Sequence, residues 1–148
     1  MRAKVETLTA FHSIHNAQER MGLKTEQRDP SKEDNDATRR YYSLKGPAPR
    51  RQMVKVHPET GRKSLLIGRH AYGIPGMGEA ESETFLRKLN AFACQPPRIY
   101  YHDWGPGDAV VWDNRSLLHR AVPWDMSLPR IMWHSRIAGD TTTEAALA

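Results

Sequence analysis

The sequence predicts an α+β domain, rich in sheet and carrying two helices. Three observations point to it. The stretch "EAESETFLRKLNAFACQ" at 79–95 repeats apolar residues at helical spacing. Several short apolar runs are each bounded by glycine or proline, the punctuation of strands and turns. No internal repeat is present, so a solenoid is not indicated.

Taken in order, residues 2–21 read as a helix, with Val5, Leu8, Phe11 or His12, and His15 at spacings of three and four and Gly22 as its C′ glycine. Residues 24–40 hold almost no apolar side chain and are expected to be a solvated, mobile loop. "GPAP" at 46–49 punctuates the chain again. In "QMVKVHPETGRKSLLIG", residues 53–56 and 64–67 read as two strands around a turn at 58–61. "GIPGMG" at 73–78 is a loop. The helix at 79–95 follows, with Phe85, Leu86, Leu89 and Phe92 on one face and acidic residues in the first turn, where the helix dipole favours them. Pro96 and Pro97 end it. "RIYYHDW" at 98–104 reads as a strand, "GPGD" at 105–108 as a tight turn, "AVVWD" at 109–113 as a buried strand and "RIMWHSRIAG" at 130–139 as a final long one. The tail "TTTEAALA" at 141–148 suits a terminal turn of helix.

The 148 residues suit one domain, and 39% hydrophobic with 26% charged residues is a soluble composition. No apolar run approaches the roughly 18 to 20 residues needed to cross a bilayer, so no membrane partner is expected. The first residues, "MRAKVETLTAFHSIHN", lack the apolar core of a secretory signal. Cys94 is the only cysteine, which excludes an internal disulfide and fits a reducing compartment, with the cytoplasm as the default. The net charge of +5 is dispersed apart from Arg39-Arg40, followed by Tyr41 and Tyr42, and Arg50-Arg51. Two aromatics beside two arginines do not make a nucleic-acid module, and pockets for acidic small molecules explain the charge equally well. No nucleic-acid partner is expected.

The chemistry concentrates in "WDNRSLLHRAVPWDMSLPRIMWHSRIAGD" at 112–140. His119, taken alone, reads as a half-buried histidine bonded to backbone groups or as a metal ligand. Asp113 and Asn114 emerge where an apolar strand ends; they either hold the His119 loop by bonding backbone groups or take a direct part. Arg130 opens an apolar run, and a guanidinium carried into a sheet interior requires an anion. Trp112 and Trp133 read as core.

Trp112-Asp113-Asn114-Arg115, His119-Arg120-Ala121, Arg130 and Ile137-Ala138-Gly139-Asp140 resemble the C-terminal signature of the TauD/TfdA family. "HPETGRKSLLIG" at 57–68 and "GMGEAESETFLRKL" at 76–89 resemble the family's hairpin and helix in the same order, so the resemblance runs from about residue 54 to residue 140. It implies the C-terminal part of a double-stranded β-helix (jelly roll) with flanking helices, in a small-molecule oxidoreductase dependent on iron(II) and 2-oxoglutarate. A facial triad of two histidines and one carboxylate holds the iron in such enzymes and leaves positions open for cosubstrate and oxygen. His119 matches the distal metal-binding histidine and Arg130 the clamp on the far carboxylate of 2-oxoglutarate. No catalytic residue beyond this metal site is implied. His134, four residues past Arg130 where the taurine enzyme has an arginine, makes taurine an unexpected substrate. His134, His70 and Tyr72 become candidate substrate-pocket residues, and His12 and His15 local or substrate-pocket ones.

The family's His-x-Asp metal pair occurs nowhere in the chain. In "HDW", His102 and Asp103 are adjacent, so a strand points them to opposite faces. "HPE", with His57 and Glu59, is a formal alternative that coincides with the family's turn. The resemblance therefore implies a fragment, inactive alone, with residues 1–50 as an N-terminal helix and polar loop and residues 51–148 as the jelly-roll part. Two other readings stay open: a non-catalytic binding or interaction module, in which His119 and Arg130 are satisfied internally, and self-association through exposed sheet edges.

Overall fold

A computed structural model describes residues 2–22, 48–140 and 142–147 of the chain. The polar segment at 24–40 and the Arg39-Arg40-Tyr41-Tyr42 cluster lie outside the described residues.

Residues 2–21, expected to be one helix, instead form helix α1 (Arg2–Glu6), strand β1 (Thr9–His12) and helix α2 (Ile14–Glu19). The helical spacing of Val5, Leu8 and Phe11 lost to tertiary pairing. β1 is the centre of a three-stranded antiparallel sheet, flanked by β2 (Arg50–Gln52) and β5 (Ala71–Tyr72). Both edges of β1 are thereby satisfied, and Ala10 is completely buried. Thr7 closes α1 through its hydroxyl on the Lys4 carbonyl at 3.0 Å, and the Ser13 hydroxyl caps α2 by accepting the Asn16 N–H at 3.1 Å. Gly22 takes the left-handed backbone (φ 72°) just past α2.

The expected hairpin is present. Strands β3 (Val54–Val56) and β4 (Lys63–Leu65) pair antiparallel, Val54 with Leu65 and Val56 with Lys63. Gly61 in the turn has φ 68°, which glycine adopts without steric cost. Helix α3 (Glu79–Ala93) follows, with Glu79 and Glu81 in its first turn. Leu86 and Leu89 are buried, Phe85 is partly so, and Phe92 is exposed beneath the Arg98 guanidinium, 4.4 Å from its ring centroid. The core joins Val5, Ala10, Met53, Ile67, Ala71, Ile74, Leu86 and Leu89. Ser82 of α3 is buried within it and accepts the Ile74 N–H at 3.0 Å, tying the loop before the helix to its first turns. Among the described residues no helix is long and apolar enough to cross a membrane.

The strands expected at 98–104, 109–113 and 130–139 are not formed. The described residues offer them no neighbouring strand, and without one a strand leaves its N–H and C=O groups to water. Apolar side chains there face solvent, Trp133 at 95% exposure and Ile137 at 98%, so Trp133 is not core. Only local turns persist. The expected turn at 105–108 closes with the Asp108 N–H on the Gly105 carbonyl at 3.1 Å and Gly107 at φ 91°. At the C-terminus the expected helical turn is a single i→i+4 bond, Glu144 N–H to the Asp140 carbonyl at 2.9 Å. The chain then leaves the helical path to make an antiparallel bridge, Leu147 N–H to the Arg50 carbonyl at 2.8 Å, beside a Lys55–Glu144 ion pair.

This division of burial makes opposite mutations separable. Met53, fully buried, becomes a cavity on truncation, so Met53→Ala lowers stability by about 2–5 kcal/mol. Trp133→Ala, a larger truncation of an exposed side chain, stays within about 0.5 kcal/mol. Urea unfolding followed by circular dichroism checks both; equal losses at the two positions contradict this partition of the chain.

Candidate functional site

Residues 112–119 form a turn held against the β3–β4 hairpin. His57 follows the first hairpin strand and is buried although residues 58–63 after it are exposed. Its Nδ1 accepts the N–H groups of Glu59 and Thr60 at 3.2 and 3.3 Å, which leaves the ring proton on Nε2. Nε2 donates to Asp113 Oδ2 at 2.7 Å. The other carboxylate oxygen of Asp113 accepts the backbone N–H of Arg115 at 2.8 Å and its Nε at 3.0 Å. The Asp113 carbonyl accepts the N–H groups of Ser116 and Leu117 at 3.1 and 3.2 Å. From β4, Ser64 donates its hydroxyl to the Arg115 carbonyl at 2.6 Å. Gly68 (φ 128°) lies under Leu118, whose Cδ2 sits 3.7 Å from where a Cβ would stand. The Arg115 guanidinium and amide, with His57, hold the Asp113 carboxyl far below the usual carboxylate range, and Asp113 in turn raises the Arg115 pKa.

Trp112 stands beside this anchor and gathers two of the sequence-predicted residues. Its ring packs on His119 (centroids 5.0 Å apart, 52° between planes) and stacks on His134 (6.0 Å, 18°). Trp112 Nε1 donates to Asn114 Oδ1 at 2.9 Å. Asp113 and Asn114 thus hold the turn. The rings of His119 and His134 are exposed, and among the described residues no hydrogen bond ties up the nitrogens of His119.

Arg130, expected to point into a sheet interior against an anion, is exposed, with its guanidinium 4.6 Å above the Trp124 ring. The reason is the missing sheet: with no layer to enter, the cation stays hydrated on an aromatic face. His70 and Tyr72 sit at β5. Tyr72 packs on Phe11 at 5.9 Å, and the His70 carbonyl accepts the Ser13 N–H at 2.9 Å. The formal pair of His57 and Glu59 is not available to a metal, because both ring nitrogens of His57 are engaged. His102 bonds Asp108 at 3.1 Å. Among the described residues no three of His, Cys, Asp and Glu gather as a metal cage. An iron(II) ion therefore does not fit the described residues as a complete site.

The sequence reading missed the bond between His57 and Asp113 and the place of Trp112 between two histidines. The signal for the first was a histidine kept in a turn otherwise made of polar and small residues. His12 of β1, read from the sequence as a local or substrate-pocket residue, has a distinct environment. Among the described residues its Nε2 is buried without a partner, and burial together with Arg51 and His70 pushes its pKa down to about 4. Burial and Arg69 lower His70 as well.

The family model for the taurine catabolism dioxygenase TauD, TfdA family, matches residues 1–136. An (S)-phenoxypropionate/alpha-ketoglutarate-dioxygenase from Sphingobium herbicidovorans is 60% identical over 148 residues, covering 100% of this chain and 50% of that protein. A protein of the same name from Delftia acidovorans is 52% identical over 145 residues, 98% of this chain and 47% of that one. The crystal structure of AAD-2 in complex with Mn(II) and N-oxalylglycine is similar with a TM-score of 0.53 and 30% identity, over 70% of this chain and 36% of that one. The chain spans about half the length of the curated relatives it matches.

The depressed histidines set a pH dependence. His12 is neutral in the folded chain down to about pH 4 but protonates in the unfolded chain near its ordinary 6.5. Its contribution is fully present above pH 6.5 and is lost as pH falls from there toward 4, by at most about 1.4 kcal/mol per unit and less for a ring still partly in contact with water. His12→Gln flattens this acid limb. Stability measured by urea unfolding between pH 7 and 4 checks it, and an unchanged slope in the variant contradicts it.

Proposed function

The chain belongs to the TauD/TfdA dioxygenase family, and on that premise we propose that it is the C-terminal part of an iron(II)- and 2-oxoglutarate-dependent dioxygenase acting on a small phenoxyalkanoate-type acid. The observation that carries the reading is identity of 60% along the whole chain to a protein named for phenoxypropionate and alpha-ketoglutarate. The similarity to AAD-2, bound in its crystal to Mn(II) and N-oxalylglycine, supports the metal and the 2-oxo acid as cofactors of the intact enzyme.

In this reading the chain contributes His119 as one metal ligand, through an exposed ring whose nitrogens carry no hydrogen bond among the described residues. Arg130 clamps the far carboxylate of 2-oxoglutarate with two parallel N–H donors, the geometry for which a guanidinium is suited. His134, His70 and Tyr72 contribute to the substrate pocket. The other metal ligands come from outside the described residues, which hold no cage of their own; alone, the chain is inactive. The segments at 98–104, 109–113 and 130–139 become jelly-roll strands when residues equivalent to the relatives' uncovered half pair with them. Arg130 then leaves the Trp124 face for the interior, where a carboxylate offsets its desolvation.

The test is complementation. This chain is mixed anaerobically with a polypeptide corresponding to the half of the Sphingobium herbicidovorans relative that it does not cover, and iron(II) binding and 2-oxoglutarate decarboxylation are followed. The expected outcome is no turnover by either part alone and turnover by the pair. His119→Ala abolishes iron binding by the pair. Arg130→Ala raises the KM for 2-oxoglutarate by roughly 10- to 150-fold, the worth of a charge-assisted bond of about 1.5–3 kcal/mol. Iron bound equally well by the pair with and without His119 defeats the reading.

A further inference from the structure

The turn that carries Trp112 and His119 lies in a part of the chain without strands, yet it is tied to the folded part at several points, an Arg115–Glu59 ion pair at 3.9 Å among them. His57 Nε2 donates to Asp113 across 56 residues, Ser64 Oγ donates to the Arg115 carbonyl across 51, and Leu118 rests on the Cβ-less face of Gly68. These anchors lie on or just beyond the β3–β4 hairpin. His57 is the buried member, and its hydrogen bonds fix its tautomer and orientation, since Nδ1 is held by two backbone amides. Asp113 is locked from the other side by Arg115. The next residue back, Trp112, carries its ring against both His119 and His134.

We infer that His57 is a positioning residue: through Asp113 and Trp112 it sets where the rings of His119 and His134 stand. It touches neither metal nor substrate. The inference rests on the reading of His119 as a metal ligand only for its consequence; the positioning itself is a property of the free chain. A ligand held within about 0.5 Å requires such support from neighbours whose own rotamers are locked, and the exposed segment around His119 has no sheet to supply it.

The experiment is solution NMR on the full chain, metal-free, with histidine side chains and backbone amides assigned. The long-range proton–nitrogen spectrum is expected to show His57 as the Nε2–H tautomer. In His57→Ala the Hε1 resonances of His119 and His134 move and the amides of Arg115, Ser116 and Leu117 lose at least about tenfold in exchange protection. In His57→Gln, which retains an N–H aimed at Asp113, both return toward wild type. A role confined to the hairpin perturbs residues 56–62, leaves the two histidines in place and is not rescued by glutamine; that result overturns the inference. Should His57→Ala fail to fold, Asp113→Asn keeps His57 while weakening the link, and unmoved His119 and His134 signals in it overturn the inference as well. Addition of Mn(II) to the complemented pair separates the two proposals. Absence of paramagnetic broadening at His119 sinks the metal reading and leaves the metal-free result standing.

Discussion

Strand β1 is bonded on both sides, Thr9, Ala10 and Phe11 to β2 and Phe11 and His12 to β5, so its backbone groups need no water. That double pairing allows Ala10 and Ala71 to be buried together, and it lets Val5, Ile67 and Leu86 close over them. Pairing of strands governs the rest of the molecule in the same way. Where a neighbour exists the chain is ordered around a core, as in the β3–β4 hairpin. Where none exists, as along residues 99–139, even a strongly strand-forming run such as 109–112 forms no strand and stays partly exposed.

This constraint also decides what could be read in one sequence. Helix α3 and the hairpin were legible because their determinants are local: acidic residues opening the helix, an apolar face at Leu86 and Leu89, and a turn closed by Gly61. The stretch at 9–12 was not, since Val5, Leu8 and Phe11 fit a helix as well as "TAFH" fits a strand, and partners some 40 and 60 residues away chose between them. The later strands failed for the converse reason. Their strand-forming composition was real, but composition does not supply a neighbouring strand to pair with. At the site, motif order named His119 and Arg130 as chemistry-bearing residues, while their surroundings were out of reach. Arg130 was expected against an anion and stands over Trp124. The partnership of His57 with Asp113 spans 56 residues, a distance over which no periodicity speaks.

Two kinds of stability are therefore combined in one chain. The hairpin and α3 are rigid because their side chains interlock, whereas the turn at 113–118 borrows rigidity through polar bonds with fixed directions. Asp113 suits this because a carboxylate can accept from His57, from an amide and from a guanidinium at once. An asparagine has one acceptor oxygen and cannot satisfy all three. The strong lowering of the Asp113 pKa is the electrostatic trace of that arrangement.

If the chain is one part of a two-part enzyme as proposed, the exposed apolar side chains between Tyr100 and Ile137 set the energetics of joining the other part. Burying a large side chain such as Val111 or Ile131 is worth about 1.5–3 kcal/mol. Fixing the backbone of each residue costs about 1–2 kcal/mol, which nearly cancels the gain over a segment where only alternate residues face inward. With the two large terms so close, the outcome turns on how much of the segment is already fixed before the other half arrives. The turn at 113–118 is the part fixed in advance, through His57, Ser64 and Gly68. It lies between segments 98–112 and 130–139, so under that proposal both start from a point whose position the hairpin has already set.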